Sequence, residues 1–445
     1  MVAIMILIKG QNMKRHALES LENWKKSDNR KPMVLWGARQ VGKTWLMKEF
    51  GFTYYSDTIY VNFDAEPVFC DYFHSSLDPK RIISALESHF GMEIIPGKTL
   101  IILDELQECQ RAKDALKYFK ENAPQYHIIA AGSFLGVSEG KFPVGMVDSL
   151  TLYPMSFYEF LEAIGREKLL KNIQGRDTEL LDTLLPLLTD LLKTYFYVGG
   201  MPAAVDAYVQ TNDLIKVRAI QNEILSNYKN DFSKHIDKKD IPKVRILWDS
   251  IPQRLAREKK KFIYKDVKTG GRAAEFENAM NWLINTGLVY KVPRTLTPRI
   301  PLERDQEREA FKLFMHDVGL LCAKTNIDLS TFYLSDPRIF DDFHGAMTEQ
   351  YICQELKTVG TDPLFYWGRD KGAAEIDFVM QYKTEIVPIE VKSGRITQAK
   401  SLKVYRDEYN PSIAIETSLN MFRYDAPLYS VPLYMIESLY DIIGT

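Results

Sequence analysis

A chain of 445 residues, 46% hydrophobic and 26% charged, is long enough for two or three domains that each bury a core, and its composition is that of an ordinary soluble protein. A net charge of −2 excludes bulk attraction to nucleic acid, so any such binding needs a local basic patch. No window reaches the length of a membrane span, and the four scattered cysteines (Cys70, Cys109, Cys322, Cys353) argue against a zinc site or disulfide framework, so a reducing cytoplasmic setting and no membrane partner are expected.

The opening run Met1 to Ile8 is apolar but short, with no basic n-region and no small-residue cleavage site, and no signal peptide is expected. A more natural amphipathic helix spans residues 14–28, with Leu18, Leu21 and Trp24 at helical spacing, which makes Met13 a candidate true start beside Met1. Pro32-Met33-Val34-Leu35-Trp36 then reads as a buried strand. It leads into Gly37-Ala38-Arg39-Gln40-Val41-Gly42-Lys43-Thr44, the pattern G-x-x-x-x-G-K-[ST], followed by a helix start at Trp45 to Phe50. Strand, glycine loop and helix N-terminus together make a phosphate cradle, because glycines let backbone N–H groups close around anionic oxygens. In that context Lys43 reaches the β- and γ-phosphates of ATP and Thr44 ligates Mg²⁺.

Thr58 to Asp64 alternates as a second strand, and Arg81 to Leu86 starts an amphipathic helix. Thr99-Leu100-Ile101-Ile102-Leu103 is an apolar run that releases Asp104 and Glu105 at its carboxyl end, where ligands of parallel sheets bind. Asp104 suits the Mg²⁺ and Glu105 suits activation of the attacking water. His127 to Ser133 is a further buried strand, and the Ser133 hydroxyl is either a γ-phosphate sensor or a turn residue. Leu150 to Pro154 closes the set, giving about five strands with helices between them in a doubly wound parallel sheet. Residues 161–240 read as a helical lid, broken at Gly199-Gly200-Met201-Pro202.

Residues 241–293 change character. Ile246, Leu247, Ile251 and Leu255 mark one helix face, Phe262-Ile263-Tyr264 precedes a short helix, and Ala273 to Asn285 is closed by Gly287 before a strand at 288–292. Three helices and a strand outline a winged helix-turn-helix. Between Arg254 and Arg272, eight basic residues (Arg254, Arg257, Lys259, Lys260, Lys261, Lys265, Lys268, Arg272) stand against Glu258 and Asp266, a net +6. That stretch is either a phosphate-backbone footprint, DNA ahead of RNA, or a solvated charged turn in a domain that contacts protein.

Glu349 lies in a helical stretch from Gly345 to Leu356. Ala374 to Met380 and Ile386 to Lys392 read as the strands of a hairpin turned at Gln381 to Glu385, with Glu390 and Lys392 on one face and Asp377 on the partner strand. Two carboxylates and a lysine so placed suit a Mg²⁺-dependent phosphodiester chemistry, Glu390 and Asp377 holding metal and Lys392 serving the water, or merely an exposed ion pair on a polar hairpin.

With Trp36 to Thr44, Leu103-Asp104-Glu105, Ala131 to Leu135, Leu152 to Phe160, Gly199 to Pro202, Phe311 to Leu321, Glu375 to Phe378 and Pro388 to Gly394 in hand, the chain resembles bacterial and archaeal AAA-type ATP-binding proteins with a C-terminal domain of unknown function of PD-(D/E)xK nuclease-like fold. The resemblance implies an ATPase core over 14–160, a lid over 161–240, a winged helix over 241–300 and an α/β nuclease-like domain over 311–445. It implies a Walker A loop at Gly37–Thr44, a Walker B pair at Asp104 and Glu105, a sensor at Ser133, and nuclease-type positions at Glu349, Asp377, Glu390 and Lys392, the three acids as metal ligands. It places no arginine finger: Arg39 lies inside the loop, and Arg166 and Arg218 are candidates without support, which leaves oligomeric state open. Two readings follow, an ATPase that drives a nucleic-acid-binding nuclease, and a signalling-type ATPase switch whose last domain only grips nucleic acid or a protein partner.

Overall fold

The buried-strand runs and glycine breaks of the sequence become two compact units in the computed structural model, one built on Lys14–Tyr153 and the other on Pro154–Ile284 with Leu288–Thr445. The structure describes residues 13–132, 145–255, 262, 273–327, 337–369, 374–394 and 400–444.

In the first unit, helix α1 (Ala17–Lys26) precedes β1 (Met33–Trp36), α2 (Lys43–Tyr54), β2 (Asp57–Asn62), α3 (Val68–Ser75), α4 (Pro79–Phe90), β3 (Thr99–Asp104), α5 (Gln110–Asn122), β4 (His127–Ala131) and β5 (Asp148–Thr151). The five strands are all parallel in the order β2-β3-β4-β1-β5. Inner strands β1, β3 and β4 are buried along their whole length, as their uninterrupted apolar sequences require. The alternating β2 is an edge strand. Because β1, β4 and β3 run parallel, the glycine loop after β1 and the acids ending β3 emerge at the same carboxyl edge, with β4 between them. Helix α4 shows how local chemistry sets boundaries: Asp78 accepts from the Lys80 N–H, Pro79 opens the first turn, and Gly91 closes the helix at φ +65°. The last strand ends at Thr151 rather than at Pro154, although the Leu152 N–H still reaches the Trp36 carbonyl at 2.7 Å.

The second unit begins with helices α6 (Phe157–Ala163), α7 (Glu167–Gln174), α8 (Thr178–Thr183), α9 (Leu185–Val198), α10 (Pro202–Thr211), α11 (Leu214–His235), α12 (Ile241–Leu255) and α13 (Ala273–Asn285). Then come β6 (Val289–Thr295), β7 (Gln306–Met315), α14 (Val318–Lys324), α15 (Pro337–Thr358), β8 (Phe365–Gly368), β9 (Glu375–Tyr382), β10 (Glu385–Val391), α16 (Lys400–Tyr409), β11 (Ala414–Ser418), β12 (Arg423–Asp425), β13 (Leu428–Pro432) and α17 (Leu439–Ile443). The strands form one eight-stranded mixed sheet, β12-β13-β11-β10-β9-β8-β6-β7. Ile376, Trp367, Leu402 and Tyr405 belong to one apolar cluster, with α16 lying over β9 and β10.

The helix expected from Ile246, Leu247, Ile251 and Leu255 is α12, but Ile246 is 39% exposed, and Val244 and Trp248 join Leu247, Ile251 and Leu255 in the core instead. The strand after Gly287 pairs antiparallel with β7 and parallel with β8, so it belongs to the large sheet that runs across residues 300–311. The short helix expected after Phe262 and most of the +6 stretch lie outside the described residues. The hairpin at 375–391 is tighter than expected: β9 runs to Tyr382 and the turn is Lys383-Thr384, with Lys383 at φ +54°.

The break at Gly199-Gly200 has a packing reason that periodicity could not supply. The Gly200 N–H donates to Asp317 Oδ2 at 2.6 Å and its carbonyl accepts from the Met155 N–H at 2.6 Å. A side chain on Gly319 would sit 2.5 Å from the Gly199 nitrogen and the Val198 oxygen. Two backbones approach this closely only where neither carries a Cβ.

Candidate functional site

In the first unit, the loop between β1 and α2 is shaped by its glycines and held from outside by an arginine. A Cβ on Gly37, at φ +147°, would run into the Leu152 carbonyl, and Gly42 caps α2 at φ +97°. Gln40 accepts the left-handed conformation at φ +67°. Ala38 and Val41 are buried, anchoring the loop from beneath, while Gln40 is exposed. Arg15, only 5% exposed, donates from Nη1 to the Val41 carbonyl at 2.8 Å and from Nη2 to the Tyr153 carbonyl at 2.7 Å. Its planar fork ties the loop to the chain leaving β5.

Lys43 Nζ donates to the carbonyls of Gly37 and Ala38, both at 2.8 Å, and so lies along the loop. Desolvation within the loop brings its pKa down to about 8, opposed by the charges of Glu105 and Asp104. Thr44 Oγ1 donates to Asp104 Oδ2 at 2.7 Å. The same oxygen accepts from the Tyr60 hydroxyl at 2.9 Å, and Asp104 Oδ1 accepts from the Glu105 N–H at 3.0 Å. Asn62 in turn donates to the Tyr60 hydroxyl at 3.1 Å. A hydroxyl and a carboxylate oriented together at the mouth of a phosphate loop are the donor set that Mg²⁺ with a nucleotide takes, so the residues fit that ion. Glu105 adopts φ +53°, unusual for a residue with a Cβ, and the Gln107 amide holds its carboxylate. Ser133 lies outside the described residues.

Sequence reasoning found the loop, Asp104 and Glu105 but missed Arg15, Tyr60 and Gln107. No local pattern marks them, because Arg15 meets Tyr153 across 138 positions and Tyr60 meets Asp104 across 44.

In the second unit, the expected acid and lysine positions converge on one face of the large sheet. Asp377 and Glu390 flank the last backbone pair of the hairpin, Ile389 with Phe378, and Asp377 Oδ2 accepts the Val391 N–H at 2.9 Å. Lys392 Nζ donates to Glu390 Oε1 at 2.6 Å. Burial, opposed by Lys392, raises the pKa of Glu390. Glu416 on β11 is in register with Glu390. Helix α15 delivers Glu349, and the next residue, Gln350, pins that helix to β7 by exchanging hydrogen bonds of 2.9 and 2.6 Å with the backbone of Met315.

At the centre stands Lys312 on β7, 0% exposed. Its Nζ lies 2.7 Å from Glu375 Oε1, 3.4 Å from Asp377 Oδ1 and 3.5 Å from Glu349 Oε2. Burial works against its charge, but these three carboxylates outweigh it and raise its pKa well above the usual lysine range. With that ammonium in place the carboxylates do not fit a Mg²⁺ ion. Among the described residues no group of three His, Cys, Asp or Glu side chains is set to hold a metal. The signal for Lys312 was present in the sequence: one lysine inside the apolar run Phe311-Lys312-Leu313-Phe314-Met315, where a buried charge needs a partner.

Of the arginines considered for a catalytic finger, Arg218 is committed inside the second unit, to the Tyr197 hydroxyl at 3.3 Å and Cys322 at 3.4 Å. Arg166 precedes α7. None of the four cysteines is in a disulfide, and among the described residues no helix is long and apolar enough to cross a membrane.

Residues 29–161 match the family described as AAA domain, and the parallel sheet bearing the glycine loop agrees with it, so this part of the chain is an AAA-type P-loop ATPase domain. Residues 189–331 match a domain of unknown function (DUF8612), and residues 344–434 match another (DUF4143). A curated relative, an uncharacterized protein of Methanocaldococcus jannaschii, is 23% identical over 203 residues, 42% of this chain; the match spans 41% of that relative's length. Among solved structures, the Walker-type ATPase of Pyrococcus abyssi is similar at TM-score 0.45 and 12% identity, over 71% of this chain and 96% of that one. The Orc1 protein of Aeropyrum pernix, solved in complex with DNA, has a TM-score of 0.31 and 13% identity, over 72% of this chain and 94% of that one.

Proposed function

We propose that the chain is a Mg²⁺-dependent ATP hydrolase whose second unit, Pro154–Ile284 with Leu288–Thr445, is a binding module for nucleic acid or protein that answers to the nucleotide. One observation carries the ATPase reading: the Thr44 hydroxyl and the Asp104 carboxylate meet at 2.7 Å beside a loop along which Lys43 already lies. When ATP binds, Lys43 exchanges two backbone carbonyls for β- and γ-phosphate oxygens, a stronger charge-assisted pairing. Backbone N–H groups from Gly37 to Thr44 close around the phosphates. Mg²⁺, held by Thr44 with Asp104 behind it, supplies charge neutralisation of those oxygens when bound. Glu105, oriented by Gln107, accepts the proton of the water that attacks the γ-phosphorus, and ADP leaves as the bond to its β-phosphate oxygen breaks.

For the second unit, the binding-module reading is favoured over a Mg²⁺-dependent nuclease by the position of Lys312 among the carboxylates. The nucleic-acid choice of partner rests on the net +6 stretch from Arg254 to Arg272.

The test is ATP binding and phosphate release by the full chain. Lys43→Ala is expected to lose ATP binding, and Glu105→Gln to bind ATP while turnover falls by about 10²–10⁴. Hydrolysis by Glu105→Gln at the wild-type rate would remove Glu105 from the role of base. A wild-type chain that neither binds nor cleaves ATP would end the ATPase reading.

A further inference from the structure

We propose that the Lys312 ammonium is the resident cation of the sheet-face site, filling the point between Glu349, Glu375 and Asp377 that a divalent ion would need, so that the native site takes no metal. The proposal deepens the binding-module reading of the second unit and rests on that reading only for what the site is for.

The argument begins with donors and acceptors. A lysine ammonium has three N–H donors and no acceptor, and three carboxylates surround this one at 2.7, 3.4 and 3.5 Å. A Mg²⁺ ion needs oxygen ligands at about 2.0–2.1 Å in near-octahedral array. The oxygens that would supply them already point at Nζ, and two cations do not share that point. Nor is the ammonium free to withdraw. Its side chain is 0% exposed, and its stretch of β7, Phe311 to Met315, is paired residue by residue with β6. Moving it aside strands either a buried ammonium or the buried Glu349 carboxylate, each costly without its partner.

The neighbours are committed as well. Asp377 Oδ2 takes the Val391 N–H, and Glu390 takes Lys392 on Oε1, while its Oε2 is buried without a hydrogen bond among the described residues. Each acid expected as a metal ligand therefore has a protein cation within ion-pair distance. A tethered cation differs from a metal in one chemical respect that matters here. It carries no exchangeable water, so it generates no metal-bound hydroxide for attack on a phosphodiester.

The test is Mn²⁺ binding to the nucleotide-free full chain, followed by the paramagnetic signal of the free ion. Wild type and Asp377→Asn are expected to bind the same number of Mn²⁺ ions, which discounts adventitious sites common to both. Lys312→Met, which keeps the stem and removes the charge, is expected to gain one Mn²⁺ per chain, lost again in Lys312→Met/Asp377→Asn. Its melting temperature should rise with Mn²⁺ where that of wild type does not. A Mn²⁺ count that falls on going from wild type to Asp377→Asn overturns the proposal, as does a folded Lys312→Met that gains no ion. Should Lys312→Met fail to fold, the comparison of wild type with Asp377→Asn still decides. Failure of the binding-module reading shows up elsewhere, as absence of any nucleic-acid or protein ligand, and leaves the Mn²⁺ count unchanged.

Discussion

Arg15→Ala is the sharpest perturbation the first unit offers, because the residue lies outside the loop and outside every motif. Its guanidinium makes two charge-assisted hydrogen bonds, to Val41 O at 2.8 Å and Tyr153 O at 2.7 Å, from a position 5% exposed. Hydrogen bonds to charged groups contribute about 1.5–3 kcal/mol each, offset in part because deletion also removes the cost of burying the guanidinium. A net loss of about 2–4 kcal/mol is expected. For a unit of this size that corresponds to a fall in melting temperature of roughly 5–15 °C. The loop should also lose its fixed shape before ATP arrives, so affinity should fall about tenfold, the equivalent of about 1.4 kcal/mol. Differential scanning calorimetry with and without ATP, and ATP titration by calorimetry, read both effects. Arg15→Lys separates fork from charge: one ammonium cannot reproduce the planar pairing to two carbonyls, so it should recover only part of the loss. A melting temperature and an ATP affinity both unchanged in Arg15→Ala, or full recovery in Arg15→Lys, would refute the clamp.

ATP affinity should depend on pH through Lys43. Its pKa in the free protein is brought down to about 8, and the protonated form is the one that binds phosphate, so binding is fully supported below pH 8 and must recruit a proton above it. The Kd for ATP should rise by about tenfold per pH unit between pH 8 and 10, and a Kd flat to pH 9.5 would show that the lysine titrates normally. For the nucleic-acid reading, replacing Lys259, Lys260 and Lys261 with alanine should weaken binding and lower the salt slope by about one per lost phosphate contact. An unchanged slope would move the partner to protein.

What the sequence determined by itself was the content of short windows. The loop Gly37–Thr44 is legible because its function is built from consecutive backbone N–H groups, and those are fixed by glycine at set spacings. The buried apolar runs up to Leu103 and Ala131 are legible because burial on both faces demands uninterrupted apolar residues. Even the pairing of Glu390 with Lys392 follows from the period of two along a strand.

Tertiary structure alone decided what those windows meet. That β4 separates β1 from β3, that Arg15 reaches Tyr153, and that Gly319 lets its backbone approach Gly199 are contacts between positions far apart in the chain. The same holds for the sheet-face acids. Asp377, Glu390 and Lys392 read as a candidate metal site from the sequence; a strand pattern says which residues share a face but not what a strand three places from β9 in the sheet projects among them. Lys312 comes from that strand, 65 positions before Asp377, and its ammonium lies 3.4 Å from that carboxylate. Electrostatic energy depends on distance in space, and spacing in sequence fixes that distance only within a single element.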